Sequence, residues 1–392
     1  MPSICFYFKV HQPFRIKNYT FFDIGSEENY FDDEKNKFYL TRIANKCYIP
    51  TLKLIYELIK NTNFRFKVTF GITGTLIEQL ELWAPEVIEL FKKVASTGCA
   101  EFTGETYYHS LSCLYSKEEF IEQILMHKKL IRSLFNQEPK VFSNTELIYF
   151  DDLEEILYEL DFEAIITEGV DWILGWRSPN FIYQMPKGKI KVLLRNYKLS
   201  DDISFRFSSR DWDEWPLTAD KFAYWVSQFN GNGEVINLFM DFETFGEHQW
   251  PETGIFEFLS ALPFEILKQK DLNFLTLSEA IKVYPVRGIY SSSYPITWAD
   301  TERDLTAWLG NEMQKDALER IYSLEKYIKN KSPQIKIIWR KLQTADHFYY
   351  MCTKWFADGD VHKYFNPYES PYIAYLSYRN ILEDFYLRLK IS

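Results

Sequence analysis

Short apolar runs of strand length recur through the first three-quarters of this chain. Each is separated from the next by a longer stretch with helical periodicity. This alternation constrains the fold more than any single residue does. Candidate strands are Ile4–Phe8, Phe66–Phe70, Ala100–Thr103, Val141–Phe142, Ala164–Thr167, Lys191–Leu194, Val235–Met240 and Phe274–Thr276. Amphipathic stretches such as Thr51–Lys60, Pro85–Ser96 and Lys117–Leu134 lie between them. Strands linked through helices run parallel, because a crossover must return the chain to the sheet edge where it began. So many units in one domain point to a β/α barrel rather than an open sheet, although periodicity alone is compatible with both.

The rhythm breaks in two places. Asn180–Pro216 holds Pro, Gly, several Trp and a candidate hairpin, Phe181–Gln184 against Ile190–Leu194. It reads either as an insertion over the barrel mouth or as an ordinary long surface loop. From about Ile289 the alternation stops and three helical stripes follow. They are Ala317, Leu318, Ile321, Leu324 and Ile328, then Ile335, Ile338, Trp339, Leu342, Ala345 and Tyr349, then Ala374, Tyr378, Ile381 and Phe385. Such stripes bury one face each and predict a helical bundle. The expected organisation is a barrel over 1–288, with a lid near 180–216, and a bundle over 289–392 that contributes to the cleft.

At 392 residues the chain exceeds the usual size of one hydrophobic core. Its net charge of −10 argues against nucleic acid and anionic membrane surfaces, which demand clustered Lys and Arg. A neutral substrate such as sugar is compatible. Aromatic residues reach 18%, enough to fill a core and still supply flat platforms for sugar rings. The cysteines Cys5, Cys47, Cys99, Cys113 and Cys352 are odd in number and lack CxxC spacing. Free thiols in a reducing compartment are expected, and no disulfide framework or zinc knuckle. The N-terminus has no basic region before its short apolar run, and no window has the length of a membrane span. A cytoplasmic enzyme without cofactor is the expectation.

Polar residues gather just after the strands. His11 and Gln12 follow the first, Glu105 the third, Glu146 the fourth and Asp241 the seventh. In a β/α barrel the chemistry sits at the carboxyl ends of the strands. Glu146 and Asp241 each break an apolar run, and paired carboxylates in an aromatic-rich chain are what glycoside hydrolysis needs. A divalent cation held by Asp241, Glu243, His248 and His11 is the main rival, but no HxxxH or HxH spacing supports it. No metal is expected.

The remaining motifs each carry a plain and a functional reading. Pro13 stops the first strand at once and aims His11 at the mouth, where a structural His is equally common. Gly104-Glu105-Thr106-Tyr107-Tyr108-His109 is a turn into a helix or a hydroxyl-binding loop. Asp201, Asp202 and Arg206 suggest an ion pair that holds the lid or merely decorates the surface. Trp298-Ala299-Asp300, running into Trp308-Leu309-Gly310-Asn311, starts a helix or sends a Trp back to the cleft.

Together these blocks resemble glycoside hydrolase family 57, close to its α-amylase branch. The resemblance runs the full length. It rests on His11-Gln12-Pro13, Gly104–His109, Asn144-Thr145-Glu146, Asp241–His248, Trp298–Asn311 and Asn366–Tyr372. It implies an irregular seven-stranded β/α barrel followed by a helical bundle, with Lys191–Leu194 assigned to the insertion. It implies retention of configuration, with Glu146 as nucleophile and Asp241 as acid/base. His11, Glu105, His248 and Trp298 fall in blocks that border the family's cleft. Gln12, His109, Asp202, Glu243, Asp300 and Trp308 are the further expected substrate contacts. The implied substrate is an α-glucan or maltooligosaccharide. A 4-α-glucanotransferase or branching enzyme with the same pair fits these residues equally. A metal-dependent polysaccharide deacetylase and a catalytically silent glucan-binding protein are the alternatives of other classes.

Overall fold

The computed structural model describes residues 2–26, 29–354 and 366–391. Ten strands are present: β1 (Ser3–Val10), β2 (Val68–Ile72), β3 (Ala100–Phe102), β4 (Val141–Ser143), β5 (Ala164–Glu168), β6 (Ile182–Gln184), β7 (Lys191–Arg195), β8 (Val235–Asp241), β9 (Asn273–Phe274) and β10 (Val286–Ile289). All eight candidate strands overlap one of these. The candidate hairpin is also present as an antiparallel β6–β7 pair, with Tyr183 opposite Val192. Only β10 had no counterpart among the expected strands.

The strands form two ladders, β3-β2-β1-β8 with β9 beside β1, and β10-β6-β7-β5-β4. Every pairing except β6–β7 is parallel. The ladders meet in two places, at the edge strand β4 and past the end of β7. At one, Gly104 N–H donates to Val141 O at 2.9 Å and Ser143 N–H to Gly104 O at 2.8 Å, joining β3 to β4. At the other, Asn196 N–H donates to Asn237 O at 2.9 Å, joining β7 to β8. The result is a ring of seven parallel strands, β1, β2, β3, β4, β5, β7 and β8, whose hydrogen bonding thins to a few bonds at two seams.

One strand assignment needs correcting. Lys191–Leu194 does not belong to an insertion: β7 pairs along its whole length with β5, from Ala164↔Lys191 to Glu168↔Arg195, and is a ring strand. The supernumerary strand is β9, which touches only the first residues of β1. A hairpin leading into a ring strand has the same local sequence signature as a hairpin in an excursion, so pattern could not separate them.

Burial explains the ring. All eight residues of β1 are buried, as expected for a parallel strand covered on both faces. Its side chains alternate. Ile4, Phe6, Phe8 and Val10 join the outer cluster shared with the helices, whereas Cys5 and Tyr7 join an inner cluster with Val141, Ala164, Leu193 and Phe239. Tyr7 lies across the interior with its hydroxyl 2.6 Å from Ser143 Oγ, over the bare Gly71.

Beyond residue 305 the described chain is helical: Thr306–Leu309, Glu312–Ser323, Glu325–Ile328, Pro333–Leu342, Ala345–Tyr349 and Pro371–Ile391. The expected stripe residues Leu318, Ile321, Leu342, Tyr378 and Ile381 are buried together in one cluster. That cluster also takes Phe14 and Ile16 from beyond β1, Leu111 from beyond β3 and Ile148 from beyond β4. These helices therefore cover the carboxyl ends of the strands. Among the described residues, no helix is long and apolar enough to cross a membrane.

The loop after β8 turns on Gly246, whose φ of +106° is a conformation that L side chains rarely adopt. A Cβ there would lie 2.1 Å from the carbonyl oxygen of Lys46. Gly246→Ala is expected to destabilise the fold by more than ~1 kcal/mol. Gly231→Ala, at φ +86° but in open space, should lower the thermal midpoint less. Calorimetric melting of the two variants checks this order.

Candidate active site

A cleft of about 530 Å³ opens at the carboxyl ends of the ring strands, within the usual range of ligand sites. His11, Gln12, His109, Glu146, Asp241, Glu243, His248, Trp298, Asp300 and Trp308 all line it. Ten of the expected residues, drawn from five separate stretches of sequence, thus converge on one cavity.

Glu146 lies three residues past β4 on a backbone of uncommon shape. Its φ is +53° and that of Leu147 is +52°, two consecutive left-handed residues that are not glycine. Such conformations cost on the order of 1–3 kcal/mol each and persist only where the surroundings enforce them. His109, Asp300 and Arg303, each at φ +52°, share the conformation and line the same cleft. The surroundings are identifiable. Asn144 donates to Ile148 O at 3.0 Å and accepts from Thr145 N–H at 3.0 Å, closing the turn around Glu146. Tyr149 pairs with Ile296 in an antiparallel bridge, which brings Trp298 against the turn.

Both carboxylate oxygens of Glu146 are held. Trp298 Nε1–H donates to Oε2 at 2.7 Å, and His109 Nε2 lies 2.9 Å from Oε1. Burial, reinforced by the charges of His11 and Lys9, pushes His109 well below the ordinary imidazole range. It is therefore neutral at physiological pH, and its Nε2–H is the donor that an ionised Glu146 requires. The Glu146 side chain keeps 23% of its exposure against 2% for His109, so the carboxylate faces the cavity. Burial raises its pKa, and the Trp298 bond opposes that rise.

Asp241 ends β8 directly opposite Lys9 of β1 in the parallel register. Burial, and then the charge of Glu146, push its pKa up to about 7; Arg195 and Lys9 pull the other way. Glu243, two residues on, is raised to about 8 by burial and by Asp241, although the Tyr48 hydroxyl donates to it. Gln12 Nε2–H also reaches Glu243, at 3.5 Å. Burial lowers His248 to about 4, so it is neutral as well.

Arg195 is the main buried cation of the site. It donates to Phe239 O at 2.8 Å and to Glu168 at 3.0 Å, and pairs with Asp201. Its guanidinium lies 5.7 Å from the Trp298 ring centre. Arg303 approaches Glu168 to 3.5 Å and donates to Trp298 O. The loop carrying Trp298 and Asp300 is thereby tied to the ends of β5 and β7. Asp300 itself faces Lys354 at 3.3 Å.

Two expected contacts are elsewhere. Glu105 is wholly buried, ion-paired with Lys9, and its N–H donates to His127 Nδ1 at 3.3 Å. It supports Lys9 and does not itself line the cleft. Asp202 pairs with Arg206 at 2.7 Å on the helix Tyr197–Ser204, and its neighbour Asp201 lines the cleft instead. Helical geometry turns adjacent residues about 100° apart, so only one of two neighbouring aspartates can face inward.

Asp346 was not anticipated. It lies in the first turn of the helix Ala345–Tyr349, and Ala345 N–H donates to His109 O at 2.9 Å, which pins the helix to the site. Burial alone would raise Asp346, but His11, 2.9 Å away at Nε2, outweighs it and holds the carboxyl well below the usual range. Thr73 Oγ1 sits 2.9 Å from His11 Nδ1, and the His11 and His109 rings pack with centroids 4.0 Å apart, tilted by 32°. A carboxylate breaking an otherwise apolar helical stripe was the available signal. Among the described residues, His11, His109 and Asp346 are the one group with ligand atoms close enough for a metal, within 4.8 Å. Of these groups, His11 Nε2 already bonds Asp346 and His109 Nε2 already bonds Glu146.

An oriented carboxylate facing one of raised pKa across a sugar-sized cleft is the equipment of a glycoside hydrolase. A family model described as "Glycosyl hydrolase family 57" matches residues 5–295. A protein of Methanocaldococcus jannaschii named "Putative alpha-amylase" is 49% identical over 401 aligned residues, covering 99% of this chain and 85% of that one. The chain belongs to glycosyl hydrolase family 57 and is a glycoside hydrolase. The fold is shared with a family 57 branching enzyme of Pyrococcus horikoshii, at TM-score 0.68 and 17% identity over 99% of this chain and 91% of that one. It is shared too with a 4-alpha-glucanotransferase of Thermococcus litoralis, at TM-score 0.66 and 18% identity over 88% of this chain and 56% of that one.

Trp298→Phe removes one donor to Glu146 and so disfavours its charged form. The acidic limb of the kcat/KM–pH profile should move to higher pH, and kcat/KM should fall about tenfold, the worth of a hydrogen bond to a charged group. A pH–rate profile of the variant reads both changes.

Proposed function

We propose that this enzyme cleaves α-1,4-glucosidic bonds of α-glucans and maltooligosaccharides by double displacement, with retention at the anomeric carbon. Ionised Glu146 attacks the anomeric carbon while protonated Asp241 donates its proton to the departing glycosidic oxygen. A glycosyl ester forms on Glu146. Asp241, now a base, takes a proton from water, the water oxygen attacks the anomeric carbon, and Glu146 leaves as carboxylate. The observation that carries this reading is the contrast between the two acids. Glu146 has a donor on each oxygen, which suits an anion; Asp241 is pushed to about 7, which suits an acid that must keep its proton near neutrality. His11, Gln12, Glu243, His248, Asp300 and Trp308 are the residues to contact sugar hydroxyls and ring faces.

The name of the M. jannaschii relative favours hydrolysis. Attack on the ester by a sugar hydroxyl instead of water would make the same site a glucanotransferase or branching enzyme. On this reading residues 1–288 form the catalytic barrel, and the helices of 289–392 complete its cleft with Asp346 and Trp308. The thiols of Cys5, Cys47, Cys99 and Cys113, none of them in a disulfide, favour a cytoplasmic setting.

Glu146→Gln and Asp241→Asn are expected to abolish turnover of maltooligosaccharides without lowering the melting temperature appreciably. The loss at Asp241 should be about 10²–10⁴-fold, the usual worth of a general acid. Wild-type turnover in both variants would end the proposal. For the wild type, kcat/KM should fall as pH rises past 7, because Asp241 then loses the proton it must donate. Activity should survive exhaustive chelation; its loss would favour a metal site on His11, His109 and Asp346 and a deacetylase-like chemistry. Chromatography of maltooligosaccharide digests separates short hydrolysis products from the longer ladder of a transferase.

A further inference from the structure

Three aromatic side chains beside the cleft have little packing role. Trp176 is 95% exposed, Trp172 54% and Tyr294 52%. Leaving a Trp in water forgoes the stabilisation that burial would bring, so a fully bare one on an ordered turn calls for a reason.

The turn is firmly held. Gly175, at φ +61°, reverses the chain after the short helix Asp171–Leu174 and projects Trp176 outward. Arg177, next in sequence, anchors the backbone. It donates from Nε to Leu174 O at 3.0 Å, from Nη2 to Ile173 O at 2.6 Å and from Nη1 to Ile289 O at 2.6 Å. Trp172 Nε1–H donates to Tyr294 Oη at 3.3 Å, which links these two side chains. Rings with few rotatable bonds on a pinned backbone lose little entropy when a ligand settles on them.

A chain of contacts links the patch to the catalytic cleft. Arg303 lines the cleft, and its guanidinium lies 5.3 Å over the ring of Tyr197. The Tyr197 hydroxyl donates to Asp171 at 2.8 Å, and Asp171 directly precedes Trp172. The segment follows β5, so it stands at the same carboxyl-end face as Glu146 and Asp241.

We propose that Trp172, Trp176 and Tyr294 form an outlying subsite that stacks glucose units of the α-glucan chain whose reactive bond occupies the cleft. The chemistry matches. A pyranose offers apolar C–H faces for the rings and hydroxyls that the remaining lone pairs of the Asp171 carboxylate can accept from. Three rings are too few for a stable protein partner, which covers ~800 Å² per side. The inference rests on the α-glucan reading above and adds where a long chain continues.

Trp176→Ala and Trp172→Ala test it, since neither contacts the reacting bond. KM for amylose should rise about fivefold in each, equivalent to ~1 kcal/mol, with kcat unchanged and kcat/KM for maltotetraose unchanged. Trp176→Phe should restore most of the affinity. Native gels containing amylose read binding without turnover: the wild type should be retarded and Trp176→Ala should not. Unaltered amylose kinetics, an equal loss on maltotetraose and amylose, or equal retardation of wild type and variant would each overturn the subsite. A wild type inactive on both sugars would sink the α-glucan reading of the cleft, while Trp176-dependent retardation of that same protein would still support the subsite.

Discussion

A carboxylate held in a crowded, low-dielectric cleft must find hydrogen-bond donors that carry no competing charge, and the site of this enzyme is organised around that requirement. Glu146 meets it with an indole N–H from Trp298 and an imidazole N–H from His109, one on each oxygen. A Lys or Arg in either place would stabilise the anion further and, under the proposed nucleophile role of Glu146, blunt its attack. Neutrality of His109 depends in turn on its burial. The left-handed backbone at Glu146, Leu147, His109, Asp300 and Arg303 is the cost of bringing these groups together.

Cations stand one step back. Lys9 is held by Glu105, and Arg195 is shared among Glu168, Asp201 and a backbone carbonyl. Both lower the pKa of Asp241, but burial and the Glu146 charge outweigh them. Asp241 therefore titrates near neutrality, whereas Asp346, in direct contact with His11, stays ionised. Asp241 and Asp346, two carboxylates of one cavity, are thus driven apart in proton affinity by the balance between burial and their charged neighbours.

Much of this was legible in the sequence, and for definable reasons. The strand–helix rhythm gave parallel strands because burial on both faces writes continuous apolar runs, and polar residues after those runs marked the functional face. Glu146 and Asp241 were recoverable because each breaks an apolar run, and His11 because it ends one; His109 and Trp298 were reached only through the blocks that resemble the family. Asp346 was obscured because, although it interrupts the apolar stripe of its helix, nothing in the sequence ties that late helix to the mouth of the barrel. Glu105 was misplaced because sequence position after a strand does not say whether a side chain turns into the cleft or beneath it. Asp202 and Asp201 are indistinguishable until helix orientation is known. The ring strand β7 resembled an insertion because a hairpin precedes it.

Local chemistry, then, was set by the chain itself: which residues carry charge, which runs bury themselves, where glycine lets the backbone reverse. Those properties depend on neighbours a few positions away, and composition and periodicity report them directly. Tertiary structure alone decided which distant groups meet. It put the Trp298 indole and the His109 imidazole on the oxygens of Glu146, carried Asp346 from a late helix to His11, and sent Glu105 underneath to hold Lys9. Pairings of that kind arise from ring closure and helix packing over hundreds of residues. Proton affinities follow them, because a pKa responds to burial and to charges in space, not to order along the chain.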